Sequence, residues 1–196
     1  MQKYSAEEMK MQKKSLTEVK NLPRHPLVLI LENIRSSHNV GAIFRTADAT
    51  LVEKIMLIGI TPVPPSPHLD KSALGATEVV PWQHFAGAAD AVIELKQKGY
   101  VLVALEQTHG SLSYPTLIST IKNALIAHSK VPTTQLKIAL IVGNEVEGVS
   151  QNTINLCDYS IDIPMYGRAS SLNVATATGI VVYDLIRQME LENPQK

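Results

Sequence analysis

Two uninterrupted aliphatic runs constrain the fold of this chain more than any other feature. They are LVLIL at residues 27–31 and IALIV at residues 138–142. A short run that is apolar at every position is typical of a parallel strand covered on both faces. It is far too short to cross a bilayer. The two runs therefore predict a buried sheet rather than a membrane segment.

The rest of the chain alternates between strand-like and helix-like segments. Strands are predicted at 27–33, 54–59, 77–82, 100–107, 137–144 and 159–165. Helices are predicted at 39–50, 70–74, 85–98, within 117–128, after Ser150 and at 172–190, with Asp70 and Ser171 as two of their N-caps. This alternation favours an α/β fold with a mostly parallel sheet and flanking helices.

The length of 196 residues suits one domain. We assign that domain to residues 26–196 and treat residues 1–25 as an N-terminal extension. The extension holds six Lys and Arg against three Glu, so its net charge is 6 − 3 = +3. It is either a segment that touches a polyanion or a solvated tail.

Composition excludes several classes of protein. Lys plus Arg and Asp plus Glu are equal at 18 each, so the whole chain lacks the basic excess usual in nucleic-acid binders. The one cysteine, Cys157, rules out an internal disulfide, and no spacing among His, Cys and acidic residues suggests a metal site. Because the N-terminus has no apolar stretch, we expect a cytoplasmic protein without a membrane anchor.

Three polar clusters follow predicted strands, where ligands bind in open parallel sheets. The first is NVGAIFRTA at 39–47. Asn39 stands where a helix would begin, so its amide can cap that helix or hold a substrate group. Arg45 lies among small and apolar residues and must find an anion there, which is a partner carboxylate, a phosphate or a cofactor carboxylate. An interface salt bridge explains Arg45 equally well.

The second cluster is GNEVEGVS at 143–150. Gly143 and Gly148 bracket the carboxylates of Glu145 and Glu147 at the end of a buried strand. Paired carboxylates perform acid/base chemistry or bind a metal, but both roles need partners from elsewhere. An inert acidic turn is the alternative. The glycines favour function, because they let backbone groups approach a ligand.

The third cluster is IPMYGRASSLNV at 163–174. A strand ends at Pro164, a polar loop follows, and a helix is predicted to start near Ser171. No G-x-S-x-G elbow surrounds Ser171, so it is not an obvious nucleophile. Small residues after Asn173 indicate a helix packed tightly against another segment.

Together and in this order, the clusters resemble the three motifs of the SpoU (TrmH-like) family in the SPOUT superfamily of RNA methyltransferases. The motifs are N-x-G-A-I-x-R-T-A at 39–47, G-x-E-x-x-G-x-S at 143–150, and I-P-M with S-L-N-V at 163–174. LGATEVVPW at 74–82 is also similar to that family. The resemblance covers about residues 27–190. One motif would be a weak sign, but three in register are specific.

The resemblance implies a C-terminal trefoil knot whose loops hold S-adenosyl-L-methionine, mainly through backbone groups. Gly143, Ile163, Met165 and Leu172 match the cofactor-binding positions. Relatives dimerise through their first and last helices and form active sites across the interface, so a homodimer is expected.

The implied reaction is methyl transfer to a ribose 2′-hydroxyl of tRNA or rRNA, with no metal. The family arginine that matches Arg45 is implicated in activating that hydroxyl. Because the guanidinium pKa is above about 12, we assign it phosphate anchoring and oxyanion stabilisation and leave proton transfer open. Residues that orient the ribose, the arginine and the cofactor are then Asn39, Glu145, Ser171 and Asn173.

Two other functions compete with this interpretation. A non-catalytic RNA-binding protein on the same fold is one, but the motif residues are intact. A dinucleotide-dependent oxidoreductase is the other, and it would need G-x-G-x-x-G after the first strand, which the chain lacks. Ser36-Ser37 departs from the family, which often has an acidic residue or asparagine followed by proline. Many relatives carry an RNA-binding domain before the catalytic one, whereas here the extension at 1–25 stands in that place. We therefore expect RNA selection to come from the extension, the dimer groove or surface loops such as 61–68.

Overall fold

The computed structural model of the protein describes residues 3–11, 14–127 and 136–192. Its strands are β1 (His25–Glu32), β2 (Val52–Ile58), β3 (Trp82–Phe85), β4 (Val101–Leu105), β5 (Leu112–Ser113), β6 (Ile138–Val142) and β7 (Tyr159–Asp162). Its helices are α1 (Ala6–Met11), α2 (Leu16–Lys20), α3 (Ser37–Ala49), α4 (Pro67–Ala73), α5 (Ala88–Gln97), α6 (Leu117–Ala127), α7 (Gln151–Ile154) and α8 (Val174–Glu192).

The strands form one sheet in the order β3-β2-β1-β6-β4-β7-β5. Every pair of neighbouring strands is parallel, which confirms the predicted sheet. Strand β6 lies at the centre, between β1 and β4. The carboxyl ends of β4, β6 and β7 are therefore neighbours. The trefoil knot stays a prediction.

Both faces of the sheet are covered because successive side chains of a strand point to opposite faces. In β1, Leu27, Leu29 and Leu31 join one apolar cluster, which contains buried residues of α3, α6 and α8. Val28 and Ile30 join the other, which contains buried residues of α5. The continuous apolar run is thus explained by a helix–sheet–helix sandwich.

Helix α3 packs unusually closely on α4 at Gly41. A Cβ atom on Gly41 would lie 2.0 Å from Ser72 Oγ and 2.4 Å from the Leu69 carbonyl oxygen. Gly41 therefore permits a close approach of the two helices that a side chain at this position would prevent. The first turn of α3 is capped by Ser36, whose Oγ accepts a hydrogen bond from the Asn39 N–H at 3.3 Å.

In the region 70–98 one predicted strand was wrong, and one predicted helix is present but starts later than expected. The strand expected at 77–82 is a 3₁₀ turn (Ala76–Glu78), because Leu74 and Gly75 adopt positive φ angles of 52° and 90° that turn the chain. The third strand instead starts at Trp82, after Pro81. The helix expected from Phe85 begins at Ala88, because Phe85 pairs with Ile58 in the sheet.

Helix starts were also predicted imperfectly. Helix α4 is preceded by Ser66 with Pro67 in its first turn, and Asp70 lies inside it, accepting the Ser66 N–H at 3.1 Å. Helix α8 begins at Val174, two residues later than expected. Helix α6 lies within the predicted range, of which residue 128 is outside the described part.

No helix among the described residues is both long and apolar enough to cross a membrane.

Candidate functional site

A cleft of about 570 Å³ opens at the carboxyl ends of β4, β6 and β7. Three chain segments form its walls: the end of β4, the turn after β6 and the loop between β7 and α8. Seven of the nine site residues predicted from the sequence line it, namely Gly143, Glu145, Ile163, Met165, Ser171, Leu172 and Asn173. Asn39 and Arg45 do not.

Asn39 nevertheless joins the three motifs. Its side-chain nitrogen donates to Glu145 Oε1 at 2.9 Å, and its side-chain oxygen accepts from Asn173 Nδ2 at 3.1 Å. Asn39 is almost fully buried, with 8% of its surface exposed. The amide that we expected either to cap a helix or to hold a substrate group has a third role, since it ties the first motif to the second and third.

Glu145 is held by donors from the start of α3. Its carboxylate accepts the backbone N–H groups of Arg35 at 3.0 Å and Ser36 at 3.1 Å, besides the Asn39 amide. Partial burial acts to raise the pKa of Glu145, but the hydrogen bonds from Arg35, Asn39 and Ser36 outweigh it and the net pKa is below its ordinary value. Glu145 is therefore an anionic anchor for the entrance to α3.

The turn after β6 is compact because Gly143 and Gly148 lie against each other. Asn144 and Gly148 exchange two backbone hydrogen bonds at 2.9 and 3.0 Å. A Cβ atom on Gly143 would lie 2.0 Å from the Gly148 carbonyl carbon. The side-chain oxygen of Asn144 accepts the N–H of Val146 at 2.8 Å. The predicted glycine bracket thus closes the turn, and Glu145 and Glu147 project from it.

A buried carboxylate that we did not single out fixes the far end of this turn. Glu32, at the end of β1 and 5% exposed, accepts the Ser150 N–H at 3.0 Å and the Ser150 hydroxyl at 2.9 Å. It also accepts the Thr153 hydroxyl at 2.6 Å. The serine of the second motif therefore caps α7 and anchors the turn to the sheet, which is a structural role.

The third motif ends in a helix cap, but the capping residue is Asn173 rather than Ser171. Asn173 Oδ1 accepts the N–H groups of Ala175 at 3.0 Å and Thr176 at 3.3 Å. Ser171 is exposed and borders the cleft. The two ends of the Asn173 amide thus have different roles. The nitrogen donates to Asn39, and the oxygen caps the N-terminus of α8.

Two cleft residues at the end of β4 were missed from the sequence. Glu106 accepts the N–H groups of Gln107 and Val149, each at 2.9 Å. Gln107 Nε2 donates to the Ser170 carbonyl oxygen at 2.8 Å. The sequence did contain a signal for them. Glu106 and Gln107 are a polar pair directly after an apolar strand, which is the same position that the three polar clusters occupy.

Arg45 lies on the outside of α3. It is exposed, and among the described residues no hydrogen bond or ion pair engages its guanidinium. Its helix packs beside α8, since a Cβ atom on Gly179 would be 3.9 Å from Thr46 Oγ1. Within one chain, Arg45 is therefore separate from the cleft that the other motif residues surround.

The cleft is acidic. Its lining includes four carboxylates, those of Glu106, Glu145, Glu147 and Asp162. Within the described ranges, no Lys or Arg lines it. Apolar side chains of Leu105, Ile163 and Leu172 provide the remaining surface. Among the described residues no cluster of three His, Cys, Asp or Glu side chains is arranged to hold a metal ion. This composition suits a ligand that combines a flat apolar group with positive charge.

Comparison with known proteins finds RNA methyltransferases among the relatives of this chain. A 23S rRNA (guanosine-2'-O-)-methyltransferase of Neisseria meningitidis is 31% identical over 175 residues, which are 89% of this chain and 64% of the relative. A putative TrmH family tRNA/rRNA methyltransferase of Staphylococcus aureus is 30% identical over 82% of this chain and 58% of its own length. The chain thus spans less than two thirds of these relatives.

Solved structures confirm the fold. The A. aeolicus TrmH/SpoU tRNA modifying enzyme superposes with a TM-score of 0.73 at 29% identity, covering 91% of this chain and 82% of the enzyme. An AdoMet-bound rRNA methyltransferase from Sinorhizobium meliloti gives 0.69 at 27% identity, covering 87% of this chain and 60% of that one.

The family profile extends from the first strand to the last helix. It matches residues 26–183, which include all three motifs and every residue that lines the cleft. The resemblance inferred from the motifs is confirmed, and the chain belongs to the SpoU rRNA Methylase family.

Proposed function

We propose that this protein transfers the methyl group of S-adenosyl-L-methionine to a ribose 2′-hydroxyl of tRNA or rRNA, acting as a homodimer. One observation carries the proposal: Asn39, Glu145 and Asn173 connect all three family motifs beside one acidic cleft. The names of the relatives support an RNA substrate and, for the Neisseria protein, the ribose 2′-oxygen. This substrate class also suggests a cytoplasmic location.

The cleft residues fit this cofactor. Leu105, Ile163 and Leu172 offer apolar surface for the adenine ring. The surrounding carboxylates suit the sulfonium and the α-ammonium group, because opposite charges attract strongly where water is partly excluded. Gly143 belongs to a turn whose backbone borders the cleft. Gly143, Ile163, Met165 and Leu172 are therefore the proposed cofactor-binding residues.

When bound, S-adenosyl-L-methionine supplies an electrophilic methyl group, so the protein's task is to position the ribose oxygen and accept its charge. We assign Arg45 to hold an RNA phosphate and to stabilise the developing oxyanion, since a guanidinium donates to both groups and does not lose its proton. Asn39, Glu145 and Asn173 fix the first turn of α3, and thus the helix that carries Arg45. We assign Ser171, which is exposed at the rim of the cleft, to contact the ribose of the RNA.

A homodimer reconciles the position of Arg45 with this role. Arg45 does not border the cleft of its own chain, and α8 beside it exposes the apolar side chains of Ile180 and Tyr183. Exposed apolar side chains next to an exposed cation are typical of a protein interface. We propose that a second copy covers this surface and that Arg45 serves the partner's cleft.

Two measurements test the proposal. Calorimetry of the purified protein with S-adenosyl-L-methionine is expected to give saturable binding. Incubation with the labelled cofactor and unmodified tRNA or rRNA, in separate reactions, is expected to label one of them. The label should lie in dinucleotides that resist alkaline hydrolysis, because a 2′-O-methyl group removes the nucleophile that cleaves the adjacent phosphodiester. Absence of cofactor binding would favour the non-catalytic RNA-binding alternative, and alkali-labile label would exclude ribose methylation.

A further inference from the structure

Glu106 has an unusual setting for a carboxylate that none of the three motifs contains. It follows Leu105 at the carboxyl end of β4, and both residues border the cleft. Its backbone N–H donates to the Ile161 carbonyl oxygen at 2.9 Å, so the residue is still held by the sheet. Its position is therefore fixed by the core rather than by a free loop.

The carboxylate itself is oriented by two backbone donors. Oε1 accepts the Gln107 N–H and Oε2 accepts the Val149 N–H, each at 2.9 Å. A carboxylate has about four acceptor positions, so about two remain available. Because Glu106 borders the cleft, its carboxylate is within the surface that a ligand there would contact.

Gly148 makes this orientation possible. A Cβ atom on Gly148 would lie 2.0 Å from Glu106 Oε2, and the residue also has a positive φ of 69°. Any side chain at 148 would therefore displace the carboxylate. Gly148 therefore has a second role besides forming the turn at 143–148. Because it has no side chain, the Glu106 carboxylate can lie directly against that turn.

The neighbourhood indicates which part of a ligand Glu106 meets. Leu105 immediately precedes it, and Leu172 borders the same cleft. Glu145 and Glu147 instead project from the exposed outer turn. Two cleft carboxylates adjoin the apolar wall that would hold an adenine ring: Glu106 beside Leu105 and Asp162 beside Ile163. One oxygen of Asp162 accepts the hydroxyl of Ser111, which does not line the cleft, at 2.8 Å. We therefore consider Glu106. The group attached to that ring is the ribose, whose vicinal hydroxyls are two adjacent donors.

We infer that Glu106 is a cofactor-binding residue that accepts hydrogen bonds from the 2′- and 3′-hydroxyls of the adenosine ribose. The inference rests on the proposed function, because it assigns this residue to the proposed cofactor. The chemistry parallels open α/β folds in which an acidic residue near a strand end binds a nucleotide ribose. Gln107, the next residue, donates to the Ser170 carbonyl oxygen and so ties the third-motif loop to the end of β4.

The test compares ligands with and without the hydroxyls. Calorimetry measures binding of S-adenosylhomocysteine and of its 2′,3′-dideoxy counterpart to the wild type, Glu106→Gln and Glu147→Gln. The wild type is expected to bind the dideoxy ligand at least about tenfold more weakly, the factor expected for lost hydrogen bonds to a charged acceptor. In Glu106→Gln that ratio is expected to fall to about threefold or less. Glu147→Gln, a change at an exposed carboxylate on the same cleft, is expected to keep the wild-type ratio.

A merely structural role would give a different pattern. If Glu106 only supported the turn, Glu106→Gln would weaken both ligands by the same factor and leave the ratio unchanged, which would overturn the inference. Equal affinity of the wild type for both ligands would overturn it without any variant, so misfolding of Glu106→Gln cannot obscure the result. Failure of the wild type to bind S-adenosylhomocysteine would instead contradict the proposed function, and the inference with it.

Discussion

The Asn39 side chain donates to Glu145 Oε1 at 2.9 Å across 106 residues of sequence. This bond links the helix that carries Arg45 to the turn that borders the cleft. Removing one partner of such a pair leaves the other without a hydrogen-bonding group in a partly buried site. The loss of folding free energy therefore exceeds that for an ordinary surface contact.

Glu145→Gln should lower the free energy of unfolding by about 1 kcal/mol at neutral pH, because one oxygen becomes a donor that faces other donors. The pKa of Glu145 is lowered in the folded protein, so its stabilising effect is complete above the ordinary pKa of 4.5 and is lost as the pH falls through the lower folded value. Urea unfolding at several pH values should show the difference between wild type and variant shrinking below about pH 4.5.

The control for this experiment is Glu147→Gln. Glu147 is exposed on the same turn, and no hydrogen bond to its carboxylate is formed among the described side chains. Its replacement should change stability little at any pH. A pH-independent difference for Glu145→Gln would show that its charge does not contribute to holding α3.

Gly143→Ala should destabilise the protein by about 1–3 kcal/mol, the usual range for overpacking. The new Cβ would lie 2.0 Å from the backbone of Gly148, and backbone atoms cannot move aside as a flexible side chain can. Gly87→Ala is the matched control, since a Cβ atom there would have no neighbour within 4 Å and the φ of Gly87 is −144°. Equal midpoints of urea unfolding for the two variants would refute the close contact.

Arg45→Ala should reduce the turnover number of RNA methylation by about 100-fold or more, the effect of losing a donor to a developing oxyanion. Thermal stability and cofactor affinity should change little, since Arg45 makes no hydrogen bond or ion pair among the described residues and is assigned to the RNA phosphate and the ribose oxygen rather than to the cofactor. Arg45→Lys should recover only part of the activity, because an ammonium lacks the planar fork. Near-normal turnover of Arg45→Ala would remove this residue from the mechanism.

Mixing two inactive variants tests whether Arg45 serves the partner's cleft. Arg45→Ala provides an intact cleft, and Leu172→Glu, at the rim, provides an intact arginine. Random re-association of a symmetric dimer gives about half heterodimers with one intact site each, so about a quarter of wild-type activity should return. No recovery, with dimers present by light scattering, would mean that Arg45 acts within its own subunit.

Cys157 should resist alkylation in the native protein. Burial raises the pKa of its thiol to about 12, with a further contribution from Asp158, so almost none is thiolate at pH 8. As the one cysteine of the chain, it gives an unambiguous mass shift. Iodoacetamide at pH 8 should add one group in urea and almost none without it. Rapid native labelling would contradict this burial.

Local sequence patterns predicted the strands and the cleft residues well for a physical reason. Leu27–Leu31 are apolar throughout because both faces of β1 are covered, and the polar clusters follow strands because ligand sites form there. Boundaries were less predictable. Val79 and Val80 resemble a strand, but the positive φ of Gly75 turns them into the core instead.

Long-range relationships could not be read from local patterns. The place of β6 between β1 and β4 depends on the whole topology, and so does the contact between Glu106 and Val149. From the sequence alone, Glu106 is only the first polar residue after a strand. The structure shows that the absence of a side chain at Gly148 leaves space for its carboxylate. The proposed contact of Arg45 with the cleft of a second copy is a relationship between two chains, which local patterns within one chain do not describe.

The central place of β6 has a consequence for how the protein is made. Until residues 138–142 have been synthesised, β1 is paired only with β2 and its other edge is open, while β4 has no neighbour, because β6 and β7 both follow it in the chain. Such open edges attract strands from other molecules. Nascent chains shorter than this point should therefore depend on chaperones. Synthesis through Val142 joins the two halves of the sheet, and synthesis through Asp162 adds β7, the last strand.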